Sequence, residues 1–199
     1  MKKHIISSAF GFTAIVTYLF FTLISWFFYP LEFNPFHNWL SDLGHVSWNI
    51  SGSIYYRLAS SITGFLIIFF YFFIVELIKD NRRKIKIYTW MVKIFGMLGG
   101  FSFLMSGIFP INDISNHSLW SKLLYILLGT SITFSGIIWI YKKSTHLLAI
   151  FSFLAAVINI SSGIFNKVFF LEWIVVFFII VYITIVCIRN LIFLYSKNL

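Results

Sequence analysis

The side chains of this sequence that can carry acid–base or metal chemistry fall mainly into three short stretches. The first reads Asn34-Pro35-Phe36-His37-Asn38-Trp39-Leu40-Ser41-Asp42-Leu43-Gly44-His45 and holds two histidines, an aspartate and a serine. The second, Gly107-Ile108-Phe109-Pro110-Ile111-Asn112-Asp113-Ile114-Ser115-Asn116-His117, adds Asp113 and His117. The third is the turn Phe165-Asn166-Lys167, followed shortly by Glu172. Imidazole and carboxylate groups suit a zinc-type ion, and water on such an ion is deprotonated near neutral pH and attacks esters. Without a metal, a histidine–carboxylate pair acts as a general base. On this reading Asp42, His117 and Glu172 are the candidate catalytic residues, with Asp42 as base or orienting group. His117, Glu172, His37 and His45 are the candidate zinc ligands, and Asp113 is a further candidate member of the set.

The spacing names no reaction. There is no H-E-x-x-H or comparable metal signature, and no G-x-S-x-G elbow surrounds Ser41. Two other readings of the same residues therefore stand beside catalysis. In one, the groups satisfy each other and the loop backbone, as a buried pair of Asp42 with Arg57 would, and so lock the loops together. In the other, they form a transport or ligand-binding site.

The elements that must position these groups are set by hydrophobicity. Of 199 residues, 60% are hydrophobic, 22% aromatic and only 11% charged, with a mean hydropathy of +0.92. A soluble domain of this length cannot hide so much apolar surface, whereas a membrane-crossing helix needs about 20 apolar residues. Barrel strands would alternate in polarity, but stretches such as Phe65 to Ile78 are almost continuously apolar. The expected fold is all-α, with six transmembrane helices at Ser7–Tyr29, Arg57–Ile78, Ile87–Phe109, Leu119–Tyr141, His146–Phe165 and Val168–Leu194. These form one domain over residues 1–199, with connections at 30–56, 79–86, 110–118, 142–145 and 165–168. Pro30 and Pro110 stand where the first and third spans end, as befits a residue that cannot continue a helix.

Orientation follows from the cations. The N-terminus, the 79–86 gap, Lys93, Lys142 and Lys143, and the tail hold twelve of the fifteen Lys and Arg residues; Arg57, Lys122 and Lys167 are the other three. Positively charged connections stay inside, so both termini are expected in the cytoplasm of a multi-pass cell-membrane protein. The inner run Asp80-Asn81-Arg82-Arg83-Lys84 reads as a topology signal that also meets anionic headgroups. Glu32, Asp42, Asp113 and Glu172 then lie at the outer face, and Glu76 and Asp80 at the inner one. The net charge of +9 is accounted for by this topology and does not indicate nucleic acid.

The opening Met1-Lys2-Lys3-His4 run resembles a signal peptide, but its apolar stretch continues to Tyr29, past a typical h-region, and reads as a retained helix. Cys187 lies inside the last apolar run and reads as a small filler. Phe36, Trp39 and Trp48 suit the headgroup level, so the first outer loop is expected to lie in or dip into the interface. Ser41 followed by Asp42 is also a candidate cap for a short helix there. Gly96-Met97-Leu98-Gly99-Gly100 points to close helix approach, and Asn159 with Ser161 and Ser162 to hydrogen bonding between helices. Asn49-Ile50-Ser51 and Asn116-His117-Ser118 are glycosylation triplets on the expected outer side.

Three of these elements carry a resemblance. Ser41-Asp42-Leu43-Gly44, the Gly107-x-Phe109-Pro110 end of the third span followed by His117, and Glu172 early in the sixth resemble the prokaryotic membrane family called domain of unknown function 998. The resemblance covers essentially the whole chain. It implies that Asp42, Gly44, His117 and Glu172 belong to a shared outer-face constellation, and it carries no activity with it. The Ser-Asp-x-Gly element is also similar to that of the eukaryotic Frag, DRAM and Sfk membrane proteins, which are associated with lipid remodelling and lipid asymmetry.

The leading expectation is a lipid-directed role: binding or remodelling of a headgroup or acyl chain, or metal-assisted hydrolysis or acyl transfer. Membrane lipids are the expected partners. The alternatives are a non-catalytic subunit packed among partner proteins of a larger membrane complex, and a small transporter. The scarcity of polar residues through the bilayer centre counts against ion-coupled transport.

Overall fold

The computed structural model describes residues 2–74, 82–165 and 168–195. Glu76, Asp80 and Asn81, the last residues of the expected second span, and the Asn166-Lys167 turn lie outside the described residues. Six long helices make up almost all of the rest: α1 (Lys2–Phe27), α2 (Ser53–Phe73), α3 (Arg83–Ile108), α4 (Ile114–Ile140), α5 (His146–Phe165) and α6 (Phe169–Tyr195). Short 3-10 helices occupy Leu40–Gly44 and Lys143–Thr145, and no strand occurs among the described residues. All six helices are long and apolar enough to cross a membrane, and the chain is a multi-pass, all-α membrane protein. Many of their large apolar residues face outward, among them Phe20, Leu23, Phe65, Trp90, Val157 and Phe177. This is the expected surface where lipid replaces water.

Hydropathy located each span but not its ends. The first four helices begin four or five residues before the expected starts, because a helix runs on through the interface while the apolar signal marks only the hydrocarbon. The shift matters most for α4. Asp113 caps it, accepting the Asn116 N–H on Oδ1 at 3.2 Å, so the helix begins at Ile114 and His117 lies in its first turn rather than in a loop.

Consecutive helices pack as neighbours from α1 to α5, and α6 packs less extensively against α1 and α5. The α2–α3 contact is backbone against backbone: a Cβ on Gly64 would sit 2.6 Å from the Gly100 carbonyl oxygen, and one on Gly100 2.9 Å from the Ile68 nitrogen. Small residues permit this approach, as expected of the glycine-rich segment of α3. Serine hydroxyls bridge helices elsewhere: Ser7 to the Phe70 carbonyl, Ser8 to the Cys187 carbonyl, Ser131 to the Val92 carbonyl, and Ser135 to Tyr182 at 2.6 Å. Asn159 departs from expectation. Its amide donates to the Ala155 carbonyl of its own helix at 2.8 Å.

Candidate functional site

The end of α3 explains two of the polar residues beside the site. Pro110 stops the helix and leaves carbonyls that need donors. The Phe109 N–H bonds to the Met105 carbonyl. The His117 Nδ1 lies 3.2 Å from the Ser106 oxygen and 2.8 Å from the Phe109 oxygen. Arg57 donates from Nε to Gly107 and from Nη2 to Ile108, each at 3.3 Å. The Asp42–Arg57 pair that the loop-locking reading allowed is not what Arg57 makes: the guanidinium caps α3, where a cation also meets the negative end of the helix dipole.

The loop after α1 is built into the bundle rather than laid over it. Leu40, Ser41, Asp42, Leu43 and Gly44 are all buried, and their short helix touches α1, α2 and α6. Each residue of the Ser-Asp-Leu-Gly element has a definite contact. Ser41 donates from both its N–H and its hydroxyl to Glu172 Oε2, each at 3.4 Å. Asp42 Oδ2 accepts the Trp39 N–H at 2.9 Å, closing the short helix from within, so the capping side chain is Asp42 and not Ser41. Leu43 is fully buried, and its carbonyl accepts from Ser25 and Asn49. A Cβ on Gly44 would stand 3.0 Å from the Tyr56 ring. Burial pushes the Asp42 carboxyl up to about 6 against the opposing Trp39 N–H bond.

Asn49 is also wholly buried. Its amide donates to the Ser25 carbonyl, the Ser25 hydroxyl and the Leu43 carbonyl, and its oxygen accepts the Gly52 N–H. The Asn49 glycosylation triplet is therefore overturned: an oligosaccharide would need the nitrogen that holds the loop together. Asn116 is exposed, with its amide on Asp113 Oδ2 at 2.8 Å. These two hydrogen bonds hold the Asp113 carboxyl below the usual carboxylate range.

Glu172 and His117 face a common space; the other candidates do not. Glu172 stands in the first turn of α6, buried, where a carboxylate is favoured by the helix dipole. Besides Ser41 it accepts the Tyr125 hydroxyl on Oε1 at 3.3 Å. His117 Nε2 lies 3.3 Å from the Ser121 hydroxyl, one turn further along α4. Two adjoining spaces share these residues. A vestibule of about 590 Å³, part of it open to the surroundings, is lined by Trp39, Ile111, Ile114 and Ser118 together with Ser41, His117, Ser121, Tyr125 and Glu172. The same last five residues line a narrow cleft that continues into the bundle between α1, α2, α3, α4 and α6; its space of about 640 Å³ is, like the vestibule's, partly open to the surroundings. Its deeper wall is mostly apolar, with Ala14, Ile67, Leu128, Val176, Ile180 and Ile183 beside Ser60 and Thr63. From Glu172 to Ile183, and from His117 to Leu128, is eleven residues, or about 16 Å of helix, so the cavity reaches about midway through the apolar layer.

Asp42 lines neither space, since its carboxylate is turned to the Trp39 N–H. His45 stacks on Trp48 with ring centroids 4.0 Å apart, takes the Trp48 N–H on Nδ1, and lies against Asn112; partial burial lowers its pKa. His37 is exposed, and Asp113 caps α4. Of the four candidate zinc ligands, only His117 and Glu172 reach the shared walls. Among the described residues no three His, Cys, Asp or Glu side chains form a group that could hold a metal ion. The residues present do not fit a zinc centre, whose sites take three or four protein ligands.

Ser121 and Tyr125 were not picked out from the sequence. They follow His117 at helical spacing, four and eight positions on, and this signal emerges once α4 is known to begin at Ile114.

Neither the curated proteins nor the solved structures yield a match to this chain. The sequence resemblance implied a six-span plan and one constellation of Asp42, Gly44, His117 and Glu172; six long helices are present, and of the four residues His117 and Glu172 line the shared walls. The family model described as "Protein of unknown function (DUF998)" matches residues 12–189, and the chain belongs to that family.

Proposed function

We propose that this protein binds a membrane lipid, with a polar headgroup in the vestibule and an acyl chain in the cavity behind it. The single observation that supports this reading is the shared wall. Ser41, His117, Ser121, Tyr125 and Glu172 line both spaces, so a polar ring separates a partly wet mouth from an apolar shaft. An amphipathic molecule matches both environments at once, and a wholly polar ligand would leave the shaft unfilled. The looser packing of α6 against α1 and α5 supports entry of a chain beside the Val176–Ile183 face. We further infer that the site opens at the extracytoplasmic face of the cell membrane, from the twelve-to-three distribution of the basic residues.

The test is lipid retention. Protein extracted gently from membranes should carry a stoichiometric lipid measurable by native mass spectrometry. Ala14→Phe, which forces a ring into the packed wall of the shaft, should remove that lipid and cost about 1–3 kcal/mol of stability. Equal retention by both proteins, or none by the parent, would contradict the reading.

A further inference from the structure

We infer that Ser121 and His117 form a nucleophile–base pair that transfers an acyl group from a lipid ester; the substrate class rests on the lipid reading above. The geometry supplies the three parts such a pair needs. Ser121 provides a hydroxyl 3.3 Å from His117 Nε2, on the wall where vestibule and shaft meet. The other ring nitrogen, Nδ1, faces two carbonyl oxygens, of Ser106 and Phe109. Carbonyls only accept, so Nδ1 carries the proton and Nε2 is left as the acceptor facing Ser121. The end of α3 thus fills the orienting role that a carboxylate takes in other triads. Ser118, in the vestibule wall, supplies a further hydroxyl on the same helix.

A lipid whose chain fills the shaft and whose headgroup lies in the vestibule has its ester at this junction. The Ser121 Oγ adds to the ester carbonyl carbon as its proton passes to His117 Nε2. The intermediate collapses with cleavage of the acyl C–O bond, and the departing alkoxide takes the proton from His117. This leaves an acyl-serine and a lysolipid. A water or alcohol then gives its proton to His117 and its oxygen to the acyl carbon, the bond from that carbon to Ser121 Oγ breaks, and the proton returns from His117 to Oγ. Each bond broken is matched by one formed, and no oxidant or metal is required. Glu172, which accepts hydrogen bonds from Ser41 and Tyr125, stands in the same wall and touches neither member of the pair.

The test is active-site labelling in nanodiscs made of phosphatidylethanolamine and phosphatidylglycerol. A biotinylated alkyl fluorophosphonate reports an activated serine, because Oγ–P forms as fluoride leaves. Peptide mapping should find the label on Ser121. The rate should fall about 100-fold or more in His117→Ala, the scale of a lost general base, and labelling should vanish in Ser121→Ala, which removes one hydroxyl facing a cavity. The parent should also release lysolipid from the disc. The mapping on unaltered protein needs no variant to fold. Label elsewhere or nowhere, or an undiminished rate in a folded His117→Ala, overturns the pair. Lipid retention by native mass spectrometry separates the two readings. A retained lipid with unlabelled Ser121 sinks the chemistry alone, and labelled Ser121 with no retained lipid sinks the lipid site alone.

Discussion

Asp42 and Glu172 are two carboxylates buried at the same end of the bundle, both tied to the Leu40–Gly44 turn, yet they are used in different ways. Asp42 accepts a backbone N–H three residues before it and faces no cavity, so its work is finished within its own loop. Glu172 accepts from a loop residue far away in sequence and from Tyr125 of another helix, and it lines both the vestibule and the shaft. Burial and charge alone do not separate a structural acid from a candidate functional one. What separates them is whether the supporting groups enclose the carboxylate or leave it facing open volume. The Asp42 corner should therefore answer to stability measurements, and the Glu172 wall to ligand measurements.

The largest effect is expected at Asn49, the centre of the Asp42 corner. Asn49→Ala removes from a buried site the amide that donates to the Ser25 and Leu43 carbonyls and accepts the Gly52 N–H. It should lower stability by about 3 kcal/mol, at the scale of unmet buried hydrogen bonds, measured as thermal unfolding in detergent. Next comes Glu172→Gln, which turns an acceptor of three hydrogen bonds into a group with two donors of its own. Lipid retention should fall about tenfold, equivalent to ~1.4 kcal/mol, with a smaller drop in Tm than Asn49→Ala causes. If Glu172→Gln instead unfolds the protein while retaining lipid up to that point, the two carboxylates are alike after all.

A third effect is a pH dependence that belongs to Asp42. Its carboxyl titrates near 6 in the fold against an ordinary 3.8. Between those values the folded chain holds a proton that the unfolded chain has lost, so this group's contribution to stability declines as pH rises from about 4 to about 6 and is level above that. Asp42→Asn keeps an oxygen for the Trp39 N–H and should flatten this part of the profile without changing lipid retention. The smallest effect is expected at Asp113, an exposed-side cap of α4. Asp113→Ala should cost only a little stability, greatest at neutral pH and vanishing at low pH where the carboxyl is protonated, because its folded value is depressed.

The helices were legible because lipid makes their signal one-dimensional: apolar length alone places six spans, and prolines mark two of the ends. The site was legible in its parts. Glu172 and His117 were visible as polar groups at one end of apolar runs, and they do share a cavity wall. Their partners were not, for reasons of geometry. His117 in a loop has no neighbours fixed by periodicity, whereas His117 in the first turn of α4 implies Ser121 and Tyr125. The role of Arg57 depends on where α3 ends in space relative to α2, which pairing by opposite charge could not supply. Asn49 read as a surface triplet because sequence does not show that the loop folds inward. The shaft is a property of five helices at once, though the Glu172, Val176, Ile179, Ile180, Ile183 spacing on α6 already draws one of its walls.

The central claim is that an acyl chain occupies the shaft behind Glu172, and photo-crosslinking tests it most directly. A phospholipid carrying a diazirine midway along one chain, reconstituted with the protein and irradiated, should mark Leu128, Ile180 or Ile183 from within, and Ala14→Phe should abolish those marks. Crosslinks confined to outward-facing residues such as Val157 and Phe177, unchanged by Ala14→Phe, would contradict it.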